Sequence, residues 1–478
     1  MSSSEKYDCI VIGAGMSGLA SGIRLAMYDK KVLILERHTI SGGLNSYYAR
    51  GKRKFDVGLH ALTNFVGPKD KGKPFNKLMK QLRIPYDDFK LSPQNYSLIS
   101  FPDKKLKFTN DINCLVQEIN ELFPDQVDGF INLLNHVKNF DEVNLNNETV
   151  MAKTVVRHFI SNESLVEMIF CPLLIYGSAW ENDMDFSQFV IMFKSIFLEG
   201  FSRPEGGVRT IINLLHQKLE SLGASIRYKA CVSKILTENN KIIGVEINDN
   251  EIIYCDKILS SMGLPETFDV VNDSDFFKKY PKPNIGKLTF CESILITDKK
   301  PKELGIDATI IFYNNRPEYL YQSPTTLFDR ESGVLCFPNN FNYQNNNTYN
   351  DDYSEGVLRV TNIANFELWN QLKMGPNKEQ YLEAKEQVFL NAKKILSASG
   401  LNQDYQILFK DIFTPTTIKR YTSHYGGVVY GSSDKSRNGK TPIDGLFICG
   451  TDQGFLGIVG SMLSGISMAN LHVLQGDS

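Results

Sequence analysis

Gly13, Gly15 and Gly18 sit in IGAGMSG, directly after the apolar run Ile10–Val11–Ile12, and Glu36 closes a second apolar run, Val32–Leu35. This spacing suits one chemistry, the holding of a dinucleotide. Gly13 permits a tight turn, Gly15 lets backbone approach a pyrophosphate, and Gly18 lets a helix pack closely on a strand. The helix that starts there would offer free N–H groups and the positive end of its dipole to the phosphates. Glu36 lies 18 residues beyond Gly18, about where a ribose-binding carboxylate belongs. The loop residues Ala14 and Ser17, and Arg37 beside the acid, are counted with this site. Strand, glycine turn, helix, strand and acid in that order are a far stronger signal than isolated glycines.

The elements that must position these residues follow from periodicity. Residues 1–65 read as a first nucleotide-binding unit. From about 68 to 110 the chain is Lys-rich and broken by Pro68, Pro74, Pro85, Pro93 and Pro102, the pattern of an exposed insertion leading away from a sheet. Helical spacing follows in INCLVQEINELF and VDGFINLLNHVKNF, within a helix-rich stretch at 111–200. The α/β pattern returns with VRTIINLLHQKLESLG and strands at SIRYKACVSKIL, KIIGVEIN and EIIYCDKILSS. Residues 275–410 mix strands with the Asn-rich loop NYQNNNTYNDD and the late helix YLEAKEQVFLNAKKIL, and the chain closes with GLFICG and an apolar helix. The predicted fold is α/β. A Rossmann-like dinucleotide-binding domain forms from three discontinuous segments, 1–75, 201–272 and 411–478. A mixed α+β substrate lobe forms from two long insertions, 76–200 and 273–410. A cleft between the two is the expected ligand site.

The bulk numbers exclude several classes. With 478 residues, 42% hydrophobic and 22% charged, the chain has ample material for a core. A net charge of −2 gives no reason to expect nucleic acid. The eight cysteines are scattered singly, with no CxxC and no zinc spacing, so no metal is expected and a reducing, cytoplasmic setting suits them. The start, MSSSEKYD, carries no apolar signal core. Gly454 to Leu474 lacks Asp, Glu, Lys and Arg, but its Gly and Ser content fits a buried helix better than a membrane span. Phe186–Leu198 is aromatic and apolar with one lysine. It reads as a core helix, the lining of a lipid tunnel, or a segment at a bilayer interface. Lysines 69, 71, 73, 77 and 80 read as a solvated face, or as contacts to anionic lipid on the inner face of a membrane.

Further motifs choose the cofactor. The pair Gly42-Gly43, the basic hairpin Arg50–Lys54, and Asp56-Val57-Gly58 form a second signature, and Pro442–Asp452 followed by Gly457-Ile458-Val459-Gly460 a third. In these the sequence resembles the FAD-dependent amine-oxidase and phytoene-desaturase superfamily. The resemblance implies non-covalent FAD. Gly42, Gly43, Leu44 and Asn45 would lie at the pyrophosphate and ribitol, Gly58 and Leu59 near the flavin ring, and the backbone of Val232 at the adenine. Asp452, next to Gly450, would bond the ribitol. The helix opened by Gly457, Ile458 and Val459 would aim its N-terminus at the flavin edge that turns negative on reduction. Cys449 is read as a buried strand residue, not a point of flavin attachment.

GGLNSYY, FDVGLH, RPEGG, GGVVYG and GTDQGFLGIVGSMLSG resemble the carotenoid-isomerase and retinol-saturase branch. The segments 76–200 and 275–410 match no motif, and these choose the substrate. The resemblance implies hydride exchange between flavin N5 and a carbon of a long isoprenoid or polyene; the electron partner stays open between oxygen, a quinone, a reductase and no net transfer. Desaturation, saturation and isomerisation are variants of that exchange. His60, whose ordinary pKa is near neutrality, is the candidate catalytic proton donor or acceptor, against a role limited to bonding the cofactor or backbone. His424 is read as structural. Two other readings fit the fold: an FAD amine oxidase or protoporphyrinogen-oxidase-like enzyme, and a flavin-free prenyl-binding escort protein. The intact glycine and acid set has no evident purpose in the last.

Overall fold

The first apolar run forms the strand Tyr7–Ile12 at the centre of a seven-stranded sheet. In the computed structural model, which describes residues 6–70, 72–272, 276–343 and 354–475, it pairs in parallel with Val32–Glu36 and Glu251–Ser260. Ser225–Tyr228 extends one side and Leu446–Ile448 lies beside Glu251–Ser260, both parallel; Val232–Glu238 and Lys241–Ile247 add an antiparallel edge. The first strand is covered on both faces, which is why it reads as an unbroken apolar run. Cys9 and Val11 pack with the helices Met16–Ala26, Val208–Ser221 and Gly457–Met468, whereas Ile10 and Ile12 pack on the other side with Ile235, Ile253 and Phe268. This is the expected α/β, Rossmann-like architecture, gathered from distant parts of the chain.

Two glycines set how closely these layers approach. A Cβ on Gly18 would lie 1.9 Å from the Gly13 carbonyl oxygen, and one on Gly465 would lie 2.1 Å from the Ser17 carbonyl oxygen. The C-terminal helix therefore crosses the first helix backbone to backbone. The run Gly457–Leu474 is long and apolar enough to cross a membrane, but 56% of it is buried inside the protein, against the first helix and Pro74–Leu82.

A second seven-stranded sheet has the order Ile407–Phe413, Thr289–Thr297, Gly356–Ala364, Ser332–Cys336, Ile310–Asn314, Ser97–Ser100, Lys105–Phe108. Alternation divides its side chains between two layers. Phe312, Val334, Cys336 and Ile363 meet the helical stretch 112–201, while Leu335, Leu358, Val360 and Leu295 meet the long helix Lys378–Ala398. Phe186–Phe193 belongs to the first of these layers, with Phe189, Phe193 and Phe197 buried. Its continuation, Lys194–Leu198, is a π-helical turn.

The stretch 68–110 corrects the expectation of an exposed insertion. Pro74 opens the helix Pro74–Leu82, where its missing N–H costs nothing. Phe75, Leu78, Met79 and Leu82 of that helix are buried in the nucleotide-binding core, and Ser97–Ser100 and Lys105–Phe108 join the second sheet. Lys69, Lys73, Lys77 and Lys80 are exposed. The segment limits at 75/76 and 410/411 fall inside the helix Pro74–Leu82 and the strand Ile407–Phe413. Lys71 and most of the Asn-rich loop lie outside the described residues.

The helix crossing makes one measurement decisive. Gly465→Ala should destabilise the protein by about 1–3 kcal/mol, because a backbone carbonyl cannot yield as a side-chain end can. A lower urea midpoint at unchanged m is expected; an unchanged midpoint would contradict the crossing.

Candidate active site

A continuous cavity of about 860 Å³ runs between the two sheets. That is the upper end of ordinary ligand clefts. The first βα turn, the Gly42–Asn45 turn, the 57–61 segment, Ala230–Val232 and the start of the C-terminal helix all line it.

The nucleotide end has the chemistry of a dinucleotide cradle. A Cβ built on Gly15 meets no protein atom within 4 Å, and one on Gly43 meets only Gly15 Cα at 3.5 Å. The two glycines therefore border open cavity that any side chain would fill. The first helix starts at Met16 with no side-chain cap and no acid in its first turn, and the helix at Gly457 shares both properties. Each leaves N–H donors and a positive dipole end for an anionic group. At the end of its strand, Glu36 Oε2 accepts from Ala14 N at 2.8 Å and Oε1 from His38 N at 2.7 Å. Those bonds fix the carboxylate on the wall with lone pairs left for ribose hydroxyls. Arg37 lies next to it, held by the Arg420 carbonyl at 2.7 Å. An elongated anionic group with a ribose at one end fits this donor set, as FAD requires.

Of the expected site residues, Gly13, Gly15, Ser17, Glu36, Arg37, Gly42, Gly43, Leu44, Asn45, Gly58, Leu59, His60, Val232, Gly457 and Ile458 line the cavity. Five do not. Gly18 packs on Gly13, Ala14 bonds Glu36 from behind, Gly450 packs on Ser17, and Val459 is in the core. Asp452 departs furthest from expectation. It is 1% exposed, and its carboxylate accepts from Leu264 N at 2.7 Å, Ser432 N at 2.9 Å and Lys435 Nζ at 3.1 Å. It ties the 431–435 loop to the sheet end, and Thr451 faces the cavity in its place. Cys449, whose thiol burial pushes up to about 12, is also off the wall.

The reactive end is built on two buried arginines. Arg203, 3% exposed, donates to the Leu59 and His60 carbonyls at 2.8 and 2.9 Å and pairs with Asp56. Arg359, 2% exposed, donates to the Val57 and Leu59 carbonyls at 2.7 and 2.9 Å and to Glu292 at 2.5 Å. Register explains the second cluster. Glu292 pairs with Thr361 and Val334 does too, so their side chains share a face with Arg359 two residues away. His60 lies against that face, its Nε2 3.2 Å from Glu292 Oε1 and 3.2 Å from Thr361 Oγ1. Burial, then the Arg359 charge, hold the imidazole below its ordinary pKa despite Glu292. Burial would push Glu292 up, but Arg359 and His60 together outweigh it and keep the carboxylate ionised. His60 is thus neutral near pH 7, with Nδ1 free of protein partners among the described residues.

Sequence reasoning missed Glu292, Arg359 and Thr361, and quoted Arg203 only within a motif. The available signal was a single charge inside each of two apolar strands, TFCESILIT and GVLRVTNIA. His424 lines the cavity as well, its Nδ1 3.5 Å from Glu266, which holds the imidazole above its ordinary value against burial.

Residues 16–310 match the flavin containing amine oxidoreductase family. The chain belongs to that family. It is 24% identical over 514 residues to the chloroplastic prolycopene isomerase of Daucus carota, spanning 98% of this chain and 80% of that protein. It is also 24% identical over 548 residues to all-trans-retinol 13,14-reductase of Danio rerio, spanning 98% and 87%. Among solved structures, an oxidoreductase from Methanosarcina mazei shares the fold with a TM-score of 0.66 at 18% identity, over 97% of this chain and 99% of that one. The chain is an FAD-dependent oxidoreductase.

The cradle can be tested without any substrate. Gly15→Val should fold normally, since no protein atom opposes the new side chain, but should purify without flavin absorption and with an unchanged apo-protein melting temperature. Wild-type flavin content in this variant would contradict the assignment.

Proposed function

We propose that this oxidoreductase exchanges hydrogen at carbon–carbon bonds of a long apolar isoprenoid or polyene. The observation that carries the reading is the cavity wall beyond His60, formed by Ile175, Tyr176, Met192, Phe290, Val429 and Tyr430. Such a wall is mostly apolar, with the Tyr176 hydroxyl left without a protein partner, and it shields the reacting carbon from water. Tyr430 is tied to the Ile175 carbonyl, so its hydroxyl is spent on the protein. Two relatives are named for prolycopene and all-trans-retinol, each an isoprenoid polyene.

Bound FAD supplies the hydride chemistry. The chain's own residues bind and orient. Gly15, Gly43 and Glu36 hold the dinucleotide, the apolar wall aligns the polyene, and the arginine-held segment fixes His60. With Nε2 engaged by Glu292 and Thr361, the neutral imidazole presents Nδ1 as an acceptor for a substrate proton. An amine oxidase is disfavoured by the same cluster. The carboxylate beside His60 is already neutralised by Arg359, so it offers no counter-charge to a substrate ammonium.

His60→Ala should keep its FAD and lose polyene turnover by at least about 100-fold, the usual worth of a general acid–base group. Native turnover in that variant would remove His60 from the mechanism. Hydrogen peroxide from amines, with no product from any polyene, would overturn the substrate reading itself.

A further inference from the structure

Glu199 is a second titratable group on the cavity wall, and no sequence motif marks it. It follows the π-helical turn directly, with its backbone N–H bonded to the Lys194 carbonyl at 3.0 Å. Turns of this kind recur at functional sites. The residue is 5% exposed yet lines the cavity. Its Oε2 accepts from Asn64 Nδ2 at 2.8 Å, and its Oε1 lies 3.6 Å from Lys73 Nζ.

The surroundings are shaped around this carboxylate. Asn64 sits at φ +64°, a left-handed conformation that asparagine tolerates better than most side chains. Asn64 N bonds the Ser195 carbonyl at 3.1 Å, Phe65 N bonds the Gly200 carbonyl at 3.2 Å, and Thr63 Oγ1 donates to Asn64 Oδ1 at 2.9 Å. Thr63 faces the start of the C-terminal helix, since a Cβ on Gly457 would lie 3.9 Å from its hydroxyl. Lys73, Glu199, Asn64 and Thr63 therefore make a polar track from the rim to the inner wall.

The Arg203–Asp56 pair buries both partners. Here the lysine side chain is 47% exposed and the carboxylate 4%. Burial holds the Glu199 carboxyl above the ordinary glutamate range, with Asn64 and Lys73 opposing and Glu142 adding to the rise. Lys194 does not offset this, because it is bonded to Glu142 at 2.6 Å and the Phe140 carbonyl at 3.0 Å. His60, by contrast, is walled in by Glu292, Arg359 and Thr361. An acid raised and a base lowered in one cavity is the usual division of proton work.

We propose that Glu199 passes protons between solvent at the Lys73 rim and the substrate cavity. The proposal rests on the hydrogen exchange inferred above. Its step moves a proton alone. Water at the rim protonates the carboxylate, and the neutral acid releases that proton into the cavity when a double bond is saturated. Desaturation runs the same transfer outward: one C–H bond leaves with its electron pair as hydride to the flavin, the neighbouring C–H bond gives up the proton, and the pair it leaves behind forms the double bond.

The test compares wild-type, Glu199→Gln and Glu199→Asp holoenzymes. Gln keeps an acceptor for Asn64, so flavin content and melting temperature should not change. Infrared difference spectra of the substrate-free proteins should show a carboxyl band titrating above the ordinary glutamate value, present in wild type and absent from Glu199→Gln. Polyene turnover should fall at least about 10-fold in Glu199→Gln and recover in part in Glu199→Asp. No such band in wild type, or the same band in Glu199→Gln, overturns the proposal; so does equal turnover of the two proteins. If wild type converts no polyene, the substrate reading fails while the band still decides for or against Glu199.

Discussion

Two guanidinium groups shut off from water fix the short backbone run between Asp56 and His60, and the site takes its shape from that constraint. A buried cation must find a counter-charge and fill its donors. Arg203 finds Asp56, Arg359 finds Glu292, and the remaining donors go to the Val57, Leu59 and His60 carbonyls. Both arginines share the Leu59 carbonyl. Arg203 comes from the short strand Ser202–Pro204 and Arg359 from the second sheet, so one peptide joins two distant parts of the fold. Losing one member of such a buried pair costs about 3–5 kcal/mol.

The same charges set the chemistry. Burial, then the Arg359 charge, keep His60 neutral, while Arg359 and His60 hold Glu292 ionised against its own burial. The imidazole can then accept a proton without first losing one. The unfolded chain takes a proton at His60 before the folded protein does. Folding stability from this residue therefore falls as pH drops through about 6.5 and below. Beyond His60 the wall turns apolar, which matches a substrate held by area and shape instead of charge.

Much of the nucleotide end was legible because its signals are local. Gly13, Gly15, Gly18 and Glu36 occupy one βαβ unit, and their spacing alone assigns them. The stretch 68–110 was misread because lysines and five prolines mask apolar residues 75, 78, 79 and 82, which share one helix face. Asp452 was misplaced because its partners, Leu264 and Ser432, are far away in sequence. Glu292 and Arg359, 67 residues apart, meet only through strand register. Glu199 becomes visible only when the loop at Asn64 is folded onto the turn before it.

The central claim is that the arginine-held segment presents a neutral His60 to the cavity. Nitrogen-15 NMR of histidine-labelled holoenzyme, with His60→Gln to assign the signal, measures this directly. The account predicts a neutral ring at pH 7 and a titration midpoint below the ordinary histidine value of about 6.5. A midpoint above that value would contradict it.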